Sequence, residues 1–248
     1  MKKQKKSTYP RGFMTGILFA IALSIIVTFV RVIYYPVATI PKPEEMPRHS
    51  DFELTGFWNS VLKPLVQDGL TDGKLPYKEI NERFTKLRDA IVAKTAKPLN
   101  FNLIKQYHPA DKEIAAGLGI GENGDFEIGL RIPAFIDTFR KLERSGRYDW
   151  MEVYKSHVII VLMHEMEHTT YEGPPPTGID IKEESRAWAD TCLYTIAPLV
   201  EKYHVPIYNV EADFYNAWKS ASGNPESIVW QQAVNKAYGR LHGVVISN

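Results

Sequence analysis

Between Arg11 and Arg31 the chain runs for about 19 residues, Gly12 to Val30, without a single charge, and this run is rich in Ile, Leu, Val and Phe. As a helix rising ~1.5 Å per residue it measures ~29 Å, close to the ~30 Å hydrocarbon core of a bilayer. Arg31 at the far edge can snorkel, and Tyr34 and Tyr35 suit the headgroup level. A cleavable signal peptide has a shorter apolar region, ~7–15 residues. Ala38, the nearest small residue beyond the run, also has Pro36 rather than Ala two positions before it. The reading is therefore an uncleaved anchor over 12–35. Six bases and no acid lie in residues 1–31, four of them lysines ahead of the run, so residues 1–11 form a basic cytoplasmic head. The remainder is expected on the outer side of the cell membrane, as a single-pass protein.

Removing those six bases from the 30 in the chain leaves 24 against 29 acids for residues 32–248, a net charge of −5. A mildly acidic body lacks the clustered Lys and Arg that phosphate binding needs, so nucleic acid is not an expected partner. Cys192 is the single cysteine. That excludes an intrachain disulfide and any cysteine-rich zinc module. Residues 36–50 hold four prolines and no apolar periodicity, the composition of a semi-extended spacer. A folded domain is expected over 51–248.

Within that domain, apolar residues recur at helical spacing over Phe52–Leu65 and Tyr77–Ala93, and Leu99–Ile104 is short enough for a strand. The segments 115–120 and 126–132 flank a turn-rich Gly121–Asp125 containing Asn-Gly, which predicts a β-hairpin. Phe126, Ile128, Leu130 and Ile132 alternate with Glu127, Gly129 and Arg131, giving one buried and one wet face. Helices are expected over 134–143, 150–170, 181–202, 206–220 and 225–241, broken by Gly146, Gly173–Gly178 and Gly223–Pro225. The fold class is α+β, mostly α, with a small antiparallel sheet.

One of these helices carries VIIVLM followed by His164-Glu165-Met166-Glu167-His168. Two histidines four apart project from one helix face, one turn apart, and can share a metal ion. Glu165, beside the first, is placed to take a proton from a water that the metal activates. The preceding apolar run would bury the helix that presents the pair, whereas a merely solvated charged face seldom follows such a run. A catalytic zinc usually has a third protein ligand. Downstream, Asp180 followed by Glu183 has the spacing of a capping box, which would occupy Glu183 at a helix start. Glu184 is then the expected third ligand, on a face shared with Ala187, Trp188 and Thr191, with Glu183 the alternative. The small Ala187 would let the two helices approach closely.

His164, Glu165, His168 and the Glu184 helix resemble the HExxH zinc metallopeptidases called zincins, in their glutamate-ligand (gluzincin) branch, over roughly residues 115–200. The resemblance implies zinc held by His164, His168 and Glu184, with Glu165 as general base. It also implies a peptide or protein substrate lying in a cleft, paired along an edge strand for which Phe126–Ile132 is a candidate. Three features depart from family patterns. Glu167 is charged where an uncharged residue is usual, Trp188 stands where the thermolysin-like pattern has Asp, and the metzincin extension after His168 is missing. Tyr171 and His204 are candidates to donate a hydrogen bond to an oxyanion. His157, seven residues before His164, reads as buried or supporting rather than ligating, and Cys192 as a small buried hydrophobe. Gly173–Gly178 reads as a rigid connector. A peptidase anchored outside the cytoplasm is the leading reading; a non-catalytic anchored module of zincin shape, binding a protein or a cell-envelope partner, is the alternative. Val158–Met163 is too short to span a bilayer and is crowded by Lys155, Glu165 and Glu167, which excludes an intramembrane protease.

Overall fold

A computed structural model describes residues 49–108, 113–121, 123–171, 180–221 and 223–242. The basic head, the apolar run, the spacer up to residue 48 and the whole Gly173–Gly178 connector lie outside these residues. Among those described, no helix is long and apolar enough to cross a membrane.

The domain opens with α1 (Asp51–Phe57), capped by Ser50, whose hydroxyl accepts from Glu53 N. The helix does not stop near Leu65. It continues as widened π-helical turns, Trp58–Leu62 and Pro64–Thr71. A proline ring inside a helix clashes with the carbonyl four residues back, and a wider turn relieves that clash. Next come α2 (Lys78–Thr95), β1 (Asn100–Ile104), β2 (Ala116–Ile120) and β3 (Phe126–Arg131). Helix α3 (Ile132–Glu143) starts straight from β3 with Pro133 in its first turn, where the missing N–H has no intrahelical partner to lose. Helices α4 (Trp150–His168), α5 (Ile181–Thr191), α6 (Asn209–Ser220) and α7 (Ile228–His242) complete the chain order. Helix α5 also widens after Thr191 into π turns, Cys192–Ile196 and Pro198–Lys202, again around a proline.

The mostly helical α+β character matches the sequence reading, and the sheet corrects it. β2 and β3 form the expected antiparallel hairpin, closed around Gly124 at φ +76°. β1, however, pairs parallel with β3, so the sheet is mixed and runs β1-β3-β2. A segment as short as Leu99–Ile104 marks a strand but says nothing about its direction or its neighbour. The order also makes β3 the central strand, so Phe126–Ile132 is not the edge proposed for substrate. The edge beside α4 is β2.

Helix α4 is the axis of the domain. Val153, Tyr154, Val158, Ile160, Leu162 and Met163 are all buried, and the helix packs on α2, α3, α5 and β2. Phe139 of α3 makes edge-on contacts with Phe57, Trp150 and Tyr154, tying α1, α3 and α4 together. The stripe predicted for α2 is the buried one: Ile80, Phe84, Leu87 and Ile91.

Candidate metal centre

The last two turns of α4 face a cavity of about 780 Å³, walled on one side by β2 and on the other by the start of α5. His164, Glu165, His168, Glu183 and Glu184 all line it. Asp180 caps α5 by accepting from the backbone of Lys182 (2.9 Å) and Glu183 (3.4 Å), so half of the expected capping box is present. The Glu183 side chain serves elsewhere. Its Oε1 takes the Nδ1 proton of His168 at 3.1 Å, and Arg186 binds both of its oxygens. Burial favours the neutral form of Glu183, but Arg186 and His168 outweigh it and bring its pKa below the ordinary value.

These contacts set the imidazole tautomers. A carboxylate can only accept, so His168 carries its proton on Nδ1 and turns the Nε2 lone pair to the cavity. Thr191 donates its hydroxyl proton to Ala187 O and leaves its oxygen facing His164 Nδ1 at 3.5 Å, which orients the second ring the same way. The result is a convergence of lone pairs. His164 Nε2 lies 3.2 Å from His168 Nε2 and 3.2 Å from Glu184 Oε2, with His168 Nε2 at 3.7 Å from Glu184 Oε1. One donor atom from each of the three residues falls within 4.8 Å of the others, a set able to hold a metal ion. Burial opposes charge on His168, yet Glu183 at its Nδ1 and the nearby Glu165 and Glu184 raise its pKa. Glu165, Glu183 and Glu184 thus gather negative charge around the two imidazoles.

Glu165 stands on the same cavity wall but outside this set. Its Oε2 accepts the Leu118 N–H of β2 at 2.9 Å, which leaves Oε1 unengaged by that bond. Trp188 stacks on His164 (4.2 Å between ring centres, 23° between planes) and in turn on Phe214 (3.9 Å, 11°). Both Trp188 and Thr191 lie on the α5 face assigned to Glu184, and Ala187 is fully buried there.

Of the secondary candidates, Tyr171 lines the cavity, while His204 does not and is exposed, at φ +54°. His157 is buried and lines the cavity, and its Nδ1 meets Glu211 Oε1 at 2.6 Å. Cys192 is buried, which pushes its thiol pKa well up and makes it inert. Three partnerships had no signal in the sequence: Leu118 N with Glu165, His157 with Glu211, and Arg83 with Glu167. The last explains the unusual charge in the motif. Glu167 points away from the cavity into the interior, where Arg83 of α2 binds it through Nε (2.9 Å) and NH2. Arg186 adds to the clamp by donating to Glu167 O and Thr170 Oγ1, fastening the end of α4 to α5. Comparison with protein-family models, with curated proteins and with solved structures finds no match to this chain.

Proposed function

We propose that the chain is a zinc-dependent peptidase of the gluzincin kind, held at the outer face of the cell membrane by residues 12–35, with the metal on His164, His168 and Glu184. The observation that carries this reading is the convergence of those three side chains beside Glu165. Tetrahedral zinc with ligand bonds of ~2.0–2.2 Å sets its ligand atoms about 3.3–3.6 Å apart. His164 Nε2 lies 3.2 Å from both His168 Nε2 and Glu184 Oε2, close to that spacing, and the other Glu184 oxygen lies 3.7 Å from His168 Nε2. The donor set, two imidazoles and a carboxylate with a second carboxylate behind one imidazole, is also the kind that zinc takes.

When bound, zinc supplies a Lewis acid that polarises a substrate carbonyl and acidifies a water. Glu165 takes the water's proton at Oε1 while the Leu118 N–H holds Oε2, then returns the proton to the departing amine. Glu183 and Thr191 keep both imidazoles turned so that their Nε2 atoms face the cavity. The 780 Å³ cavity accommodates a peptide segment, and the edge of β2 beside it, unpaired with a further strand among the described residues, offers an extended backbone its outward groups other than the Leu118 N–H that Glu165 holds.

The test is a screen of a peptide library with the full-length protein in detergent, followed by Glu165→Gln. That variant keeps size and hydrogen-bonding reach but removes the base, so hydrolysis falls ~10²–10⁴-fold while metal content and fold persist. Zinc binding with no hydrolysis across the library, and no cellular effect of Glu165→Gln, would replace the peptidase with a binding module of the same shape.

A further inference from the structure

The same cavity has a second polar pole that the proposed chemistry leaves unused. His157 sits on the metal-binding face of α4, seven positions and therefore about 10 Å before His164. It is 7% exposed and lines the cavity, and its Nδ1 is turned to Glu211 Oε1 at 2.6 Å. Glu211, on α6, is 2% exposed, and its Oε2 has no hydrogen-bond partner among the described residues. The only ring packed edge-on against His157 is Tyr208, again among the described residues.

Because the carboxylate can only accept, His157 carries a proton on Nδ1, and Nε2, which has no hydrogen bond to the described residues, holds a lone pair in the neutral ring. The dyad thus sets a buried carboxylate behind an imidazole at the cavity, with one carboxylate oxygen lacking a hydrogen-bond partner among the described residues. A buried carboxylate so poorly matched is costly unless a complement arrives. Its surroundings point to the sign of that complement. Among the described residues, five glutamates line the cavity (Glu113, Glu165, Glu183, Glu184 and Glu211, of which Glu183 is paired with Arg186) against two permanent cations, Lys94 and Arg131.

Resting on the peptidase reading and deepening it, we propose that His157 and Glu211 form a subsite for a primary ammonium group of the substrate. His157 Nε2 accepts from the ammonium, and Glu211 is the positioning residue and countercharge behind it. Two sources supply such a group. At about 3.3–3.6 Å per extended residue, 10 Å corresponds to a free amino terminus about three residues from the reacting carbonyl. A lysine side chain nearer the reacting bond reaches the same place.

Equilibrium binding to the full-length protein as purified, in a Glu165→Gln background so that probes survive, separates these sources. The probes are tetra-alanine amide with a free amino terminus and its N-acetyl analogue, then an N-acetylated peptide with one lysine and its norleucine counterpart. In one arm the cationic probe binds roughly tenfold tighter or more than its neutral partner, the ratio a charged hydrogen bond supports. Glu211→Gln keeps an acceptor for His157 Nδ1–H and removes the charge, so the preference falls to within about twofold. If that variant does not fold, His157→Gln is scored the same way. Equal binding of cationic and neutral probes in both arms, or an undiminished preference in a folded variant, overturns the subsite. A clear preference in a protein that hydrolyses nothing keeps the subsite and removes the peptidase; hydrolysis without preference does the reverse.

Discussion

At the residue scale, the two adjacent glutamates of α5 do different work. Glu184 meets His164 and His168 on their cavity side, whereas Glu183 meets His168 from behind and is held by Arg186. Removing a group that orients a metal-bound histidine typically lowers metal affinity ~10–100-fold, and removing a ligand costs more. Glu183→Ala is therefore expected to bind zinc more weakly yet saturate at one ion per chain, while Glu184→Ala fails to saturate. Competition titration against a chromophoric chelator reads both, and the reverse ranking would move the ligand to Glu183. The motif residues were legible because an i, i+4 spacing fixes geometry on a helix before any tertiary contact is known. That Glu184 rather than Glu183 sits on the cavity side of both histidines was expected for a partly mistaken reason: Asp180 does cap the helix, but Glu183 is occupied by His168 and Arg186 rather than by the cap. The Arg83–Glu167 and His157–Glu211 pairs join residues 84 and 54 positions apart, and no local pattern encodes them.

At the element scale, α4 holds the site because α2, α3, α5 and β2 pack around it, and its buried acid, Glu167, needs a partner. Burial pushes the Glu167 pKa up and the Arg83 fork opposes it, so the pair joins α2 to α4 beneath the metal-binding turn. Arg83→Met leaves Glu167 buried without its countercharge and is expected to destabilise the domain by about 3–5 kcal/mol. Adding Glu167→Leu to that variant restores most of the loss, because a well-packed apolar pair can replace a buried ion pair. Denaturant melts of the single and double variants check this, and a double variant no more stable than the single one would contradict it. Helix periodicity revealed α2, α3, α4, α6 and α7 to within a few residues. It did not reveal the π turns around Pro64 and Pro198, where the chain continues a helix that a proline would ordinarily end. Nor did alternation in β3 reveal a parallel neighbour, since β1 finds that place only through tertiary packing.

At the scale of the whole molecule, an acidic folded domain follows a basic head and an uncharged run long enough to span a bilayer. In that arrangement protease added outside spheroplasts digests the C-terminal domain, and complete protection of the domain would reverse the topology. A metal held on His164, His168 and Glu184 would also couple two elements, since these residues come from α4 and α5 on either side of residues 172–179. Metal binding to the folded state alone raises stability by mass action, and a chelator should lower the melting temperature. The most direct measurement is the metal content of the purified full-length protein by mass spectrometry of the elements, beside that of His164→Ala and Glu165→Gln. One zinc per chain in the wild type and in Glu165→Gln, with loss in His164→Ala, is the expected result. Zinc retained in full by His164→Ala, or absent from a folded wild-type protein supplied with zinc, would contradict a metal centre at His164, His168 and Glu184.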